Sequence, residues 1–154
     1  MDIRDRAKIS EDMERKLQSY RTINGVEPVN GRGIEIEVSG DMVTEEVVDL
    51  INGVRNVKPN GIGINNKRVI YRSYFIINDN KLEFDGNKMS FPFYVQIIGD
   101  PEVLKKSLDR SGGILDVLRR NSFDKIQFRI ENKDNIVLPA YEKKIDFRYA
   151  KTSN

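Results

Sequence analysis

An α+β sandwich is the fold class that this chain of 154 residues predicts. Three observations carry it. Stretches of strict alternation, "GIEIEVSG" (33–40) and "KIQFRIE" (125–131), ask for strands with one buried face. Segments with helical spacing of apolar residues follow them or stand between them, from Thr44 and again after "IGDP" (98–101). A run of short β segments parted by Asn and Gly turns fills the middle of the chain as a meander.

In chain order, residues 4–21 predict a helix. Ile9, Met13, Leu17 and Tyr20 fall at i, i+4, i+8 and i+11 as a narrow apolar stripe on a charged rod, without a clean heptad. Asn24-Gly25 stops it, and Pro28, Asn30, Gly31 and Gly33 predict a loop. Ile34, Ile36 and Val38 then line one face of a strand, with Glu35 and Glu37 on the other. Thr44 is the expected N-cap of the next helix, and Glu45 and Glu46 complement its dipole. Val47, Leu50, Ile51 and Val54 are its buried face, and Pro59-Asn60-Gly61 closes it. Ile62 and Ile64 begin a short strand, and Asn65-Asn66 turns it.

"VIYRSYFII" (69–77) reads as one strand, Asn78-Asp79-Asn80 as a turn, "KLEF" as a strand and Asp85-Gly86 as a tight turn. "FPFYVQII" (91–98) is the next strand, with Pro92 near its start, where no ladder donor is missed. At Gly99-Asp100-Pro101 the chain turns into a helix. Asp100 is the expected N-cap and Pro101 suits the first helical position. Val103, Leu104 and Leu108, then Ile114, Leu115 and Leu118, give two helical faces parted by Ser111-Gly112-Gly113. "KIQFRIE" follows, Lys133-Asp134-Asn135 is read as a turn, and Ile145, Phe147 and Tyr149 alternate as a last edge strand. Two βαβ units with an inserted β-meander predict a ferredoxin-like split βαβ sandwich, preceded by an N-terminal helix. The domain boundaries follow: residues 1–24 for the helix and 25–151 for a single α+β domain.

Composition narrows the chemistry. With no Cys, there are no disulfides, thiolate nucleophiles or Cys-type zinc sites. With no His, the commonest general base and every Ser-His-Asp arrangement are gone. The formal net charge of +2 is too small to argue for nucleic acid or anionic lipid by itself. No apolar run approaches the roughly 20 residues of a membrane span, and the charged start, Met1 to Arg6, lacks the apolar core of a signal peptide.

The polar residues that stand out have structural explanations. "GIGINN" (61–66) has the glycines of a phosphate loop, but no helix follows it and no Lys-Ser/Thr pair appears. Asp41, Glu45, Glu46 and Asp49 cluster at a helix start, where carboxylates are favoured anyway. On the open sheet face Glu35 and Glu37 would repel phosphates, and Tyr94 is a single aromatic, so nucleic acid is not expected as a partner. Arg119 and Arg120 with Lys125, and Lys143 with Lys144, are the basic spots that an anionic ligand or envelope polymer would use. No metal, cofactor or nucleophile–base pair is indicated; Asp100, or Glu45 with Asp49, would have to serve a carboxylate enzyme.

Four segments in order, "GVEPVNGRGIEIEV", "INGVRNVKPNGIGINNKRV", "LEFDGNKMSFPFYVQIIGDPEVLKKSLDRSGGILDVLRR" and "VLPAYEKKIDFRYAK", resemble a bacterial family. It is the domain of unknown function numbered 881, often called division-initiation-like proteins. "IGDP" (98–101), Gly112-Gly113 and "PAY" (139–141) are the most specific pieces. Asn66 stands where glycine is usual, and Phe75-Ile76-Ile77 replaces a common Ile-Arg-Cys stretch. The resemblance implies an N-terminal membrane anchor absent from this chain, then a coiled coil of which residues 4–21 would be the end, then this domain outside the cytoplasm. It also implies a non-enzymatic part in cell division or the envelope. A protein partner on the sheet face or an edge strand, and a homodimer through the N-terminal helix, are the expected contacts.

Overall fold

The structure, a computed structural model, describes residues 27–141 and Met13. Apart from Met13, the expected helix over 4–21 lies outside the described residues, as does the expected edge strand carrying Ile145, Phe147 and Tyr149. The described chain is α+β, with two antiparallel sheets and three helices. Its elements are β1 (Val29–Gly40), α1 (Thr44–Asn56), β2 (Gly61–Ile64), β3 (Lys67–Val69), β4 (Phe75–Asn78), β5 (Lys81–Phe84), β6 (Asn87–Ser90), β7 (Phe93–Ile98), α2 (Pro101–Leu108), α3 (Ile114–Asn121) and β8 (Ile126–Leu138). The large sheet runs β3-β2-β7-β1-β8 and the small one β4-β5-β6.

Alternation builds the core. Ile34, Ile36 and Val38 of β1, Phe93, Val95 and Ile97 of β7, and Ile62 and Ile64 of β2 face the helices and are buried. Val47, Leu50, Ile51 and Val54 of α1, Leu104 and Leu108 of α2, and Leu115 and Leu118 of α3 meet them. Each such side chain contributes about 1.5–3 kcal/mol relative to exposure, before ordering entropy is set against it. Gly53 lets α1 and α3 close up: a Cβ there would stand 2.9 Å from the Ile114 Cβ.

Several expectations change. The stretch 69–77 is not one strand. β3 ends at Val69, the chain turns at 70–73, and β4 joins the other sheet. Ser73 makes the turn, its hydroxyl accepting from Ile70 N and its N–H donating to Ile70 O; the Arg55 guanidinium donates to the same carbonyl at 2.7 Å. Nor do residues 133–135 turn the chain. They lie within β8, which runs on beside β1, and the register shift between Gly31 and Gly33 absorbs one extra β8 residue as a bulge. β1 itself starts at Val29, inside the expected loop, because β8 supplies a partner for it. "NKMS" forms β6 after the Asp85-Gly86 turn. Val43, not Thr44, is the N-cap of α1: Glu46 reaches back to accept from Val43 N, while the Thr44 hydroxyl accepts from Ile77 N and ties α1 to β4. Val103, expected on the buried face, is 55% exposed.

Beyond the bulge, β8 carries Ile136 and Leu138 to the face of the sheet away from the helices. There they pack with Val29 and Ile98 as a second small core. Gly61 and Gly63 of β2 lie beneath them; a Cβ at Gly63 would sit 2.5 Å from Leu138 Cδ2. Arg68 of β3 is buried beside this cluster and donates to the carbonyls of Glu27 and Pro139. Burial lowers its pKa. One guanidinium thus holds both ends of the described domain.

Candidate interaction surface

The residues singled out by sequence fall in three places. Asp100 caps α2, with Oδ1 accepting from Glu102 N at 3.0 Å, while Oδ2 lies 3.7 Å from the exposed Arg32 guanidinium. Gly99 N donates to Arg32 O, and Pro101 opens the helix. Asp100→Ala is expected to cost about 1 kcal/mol, the usual worth of a cap, read as a lower urea midpoint at unchanged slope; an unchanged midpoint would remove the capping role.

Gly112 and Gly113 join α2 to α3. Gly112 takes φ +79° and donates its N–H to Asp116 Oδ2, and Gly113 is the N-cap of α3. That N–H bond, followed by the nearby Arg120 and Arg119, holds the Asp116 carboxyl below its ordinary pKa. The two arginines are 3.3 Å and 3.6 Å from the same carboxylate. Asp116 offsets one of their two charges, so they are not two free guanidinium groups. Lys125 is exposed just before β8, and Lys143 lies outside the described residues.

Between the three helices is an open cleft of about 680 Å³, walled by Asp49, Asn52, Lys106 and Arg110 over Gly53 and Ile114. Its charges are of both signs and no nucleophile there is paired with a base. Among the described residues no group of three or more acids is placed to hold a metal ion. Glu46 of the acidic cluster is spent on the Val43 N–H.

The sheet face opposite the helices is polar at the end not covered by Ile136 and Leu138. Gln96, 2% exposed, donates Nε2 to Glu35 and accepts from Asn66 N, so both ends of its amide are satisfied. Lys133 Nζ lies 3.9 Å from Glu35 and 3.6 Å from Glu131. Glu37 beside the Tyr94 phenol pushes its pKa up. Arg129 stands opposite Glu37 in the ladder. These paired carboxylates leave no stack of aromatics for bases.

At the rim of this face runs β8, an edge strand of 13 residues. Among the described residues no strand pairs with its outer side. Asp41 N donates to Lys125 O across the ladder, one step beyond the Gly40–Ile126 pair. Since antiparallel residues alternate in which side their N–H and C=O face, the odd residues of the regular stretch turn to β1. The even ones, Phe128, Ile130 and Asn132, turn their backbone groups to the open side. Ile126 also points outward, but its N–H is held by the Ser122 hydroxyl at 3.1 Å. Arg129 and Glu131 are exposed, and Phe128 and Ile130 are half-buried. Sequence reasoning halved this edge by reading a turn at 133–135; the alternation that persists from Ile126 to Ile130 was the signal for its first half.

Among the described residues, these features define an α+β domain with two antiparallel sheets, three helices and a long edge strand that no described strand covers. The chain belongs to the bacterial family of unknown function DUF881, whose model matches residues 16–151. It is 29% identical over 132 residues to UPF0749 protein YlxW of Bacillus subtilis (strain 168), a match covering 77% of this chain and 56% of that protein. The chain thus spans little more than half the length of this curated relative. It also resembles the crystal structure of an uncharacterized conserved protein from Mycobacterium tuberculosis, with a TM-score of 0.72 and 22% identity over 82% of this chain and 92% of that one. That likeness shows a shared fold. Among the described residues no helix is long and apolar enough to cross a membrane.

Proposed function

We propose that this chain is a non-enzymatic protein-interaction domain of a membrane-anchored bacterial protein, displayed outside the cytoplasm and acting in cell division or envelope assembly. The observation that carries the interaction reading is the edge of β8, where the backbone groups of Phe128, Ile130 and Asn132 turn away from β1. An added strand gains affinity from such groups and specificity from the flanking side chains. The order β8-β1-β7-β2 of the large sheet, with α1 joining β1 to β2 and α2 and α3 joining β7 to β8, supports a ferredoxin-like split βαβ reading. Both described ends lie together at Arg68, so an attachment at either one leaves the edge facing outward.

A binding domain for an anionic ligand or envelope polymer is the weaker reading, since Asp116 already engages Arg119 and Arg120. The test of the leading reading is a photo-crosslinking residue at Asn132 of the full-length protein in cells. A cross-link to an envelope or division protein, a second copy of this one included, is the expected result. Cross-links equally abundant from exposed Lys67 on β3, at the opposite edge, would defeat the assignment of β8 as the binding edge.

A further inference from the structure

We propose that two copies of this domain join through β8, antiparallel about a two-fold axis at Ile130, so that their five-stranded sheets become one continuous sheet. The inference rests on the interaction reading and names the partner as a second copy of this chain. The register follows from what is free. At one end of β8 the Ile126 N–H is already held by Ser122, and at the other the ladder with β1 is regular only as far as Lys133. The stretch between these limits is 127–133, and its midpoint is Ile130. About that midpoint Phe128 faces Asn132 of the second copy, Ile130 faces itself, and Asn132 faces Phe128. Each of these pairs exchanges two backbone hydrogen bonds from groups that point outward in the single chain.

Charge selects the same register. About Ile130, Arg129 stands opposite Glu131 of the second copy, and Glu131 opposite its Arg129, in the closer, non-hydrogen-bonded pairs where side chains interact most. Gln127 faces Lys133. An axis at Arg129 would set arginine against arginine, and one at Glu131 would set glutamate against glutamate and Arg129 against Lys133. An axis at Phe128 would call on the Ile126 N–H that Ser122 holds, and one at Asn132 would run into the bulge. Like charges directly opposite are destabilising. Within the single chain Glu131 stands opposite Glu35, so an incoming Arg129 meets an existing excess of negative charge. The described chain does not block the edge: past Leu138 it leads to Arg68 on β3, the opposite margin of the sheet.

Sedimentation of the 154-residue chain over a range of concentrations tests this. A monomer–dimer equilibrium is expected, and Arg129→Glu or Glu131→Arg alone should weaken it by about tenfold or more. The double variant, R129E with E131R, should restore it. That rescue separates pairing from a loss of fold, which circular dichroism of each variant monitors. Ile130→Cys, in a chain with no other cysteine, should link to itself on oxidation. Its Cα atoms would stand about 5.5 Å apart, inside the roughly 4.4–6.8 Å of disulfides. A chain that stays monomeric, or a dimer indifferent to both reversals and lost on removing residues 1–24, overturns the proposal. A monomeric domain that still cross-links an envelope protein from Asn132 overturns self-pairing while upholding the interaction reading.

Discussion

Phe84→Ala is expected to lower the stability of the domain by about 3–5 kcal/mol, the range for emptying a buried phenylalanine site. Phe84 is 1% exposed and stacks on Phe75 with ring centroids 5.7 Å apart and planes at 14°. It lies on β5, the central strand of the small sheet, where Phe84 pairs with Phe75 and Leu82 with Ile77. Phe75, Leu82 and Phe84 are the buried side chains that join this sheet to the main core, while Ile76 on its other face is 43% exposed. Emptying the Phe84 site therefore loosens the whole insertion, not one contact. Urea unfolding followed by circular dichroism should show one transition at a much lower midpoint. A loss below about 1 kcal/mol would mean that the small sheet unfolds independently of the core, since two-state coupling would then have failed.

Gly33→Ala is expected to cost about 3 kcal/mol or more, although it adds a single methyl group. A Cβ at Gly33 would overlap the Ile97 carbonyl and stand 3.0 Å from the Ile98 Cα, and both obstacles are backbone of β7. No side chain can step aside, so β1 and β7 must part at the Gly33–Ile98 end of their ladder. Overpacking a site that cannot relax lies at the upper end of the usual range. Thermal unfolding should report it as a large drop in Tm; a variant within about 1 kcal/mol of the parent would show that the two strands approach less closely at this point.

Much of the fold was legible where local pattern and tertiary structure agree. The alternation of Ile34, Ile36 and Val38, the 3.6 spacing of Val47, Leu50, Ile51 and Val54, and the Asp100-Pro101 helix start each specify an element without help from distant residues. What was misread depended on partners far along the chain. Residues 69–77 are strand formers apart from Arg72-Ser73, and that polar pair alone does not announce that Ser73 and Arg55 will fold Ile70 into a turn between two sheets. Lys133-Asp134-Asn135 has the composition of a turn, yet β1 offers it a ladder and it stays extended as a bulge. Thr44 looks like a cap, but its hydroxyl serves Ile77, which is remote in sequence. The surface suffered most from this. The open edge was visible only once those three residues were placed inside β8, and the ion pairs of Arg119 and Arg120 with Asp116 depend on the turn that brings Asp116 onto the Gly112 N–H, which no local pattern announces.

The adjacency of the two ends of the described domain has a mechanical consequence. Val29 pairs with Leu138 at the mouth of the β1–β8 ladder, and Arg68 clasps the backbone on either side. Tension applied between the two ends would load the first rung alone and open the ladder one rung at a time, like a zip. Pulled from one end only, the ladder carries no such load. The β1–β8 ladder is therefore mechanically weak against a pull between those two ends.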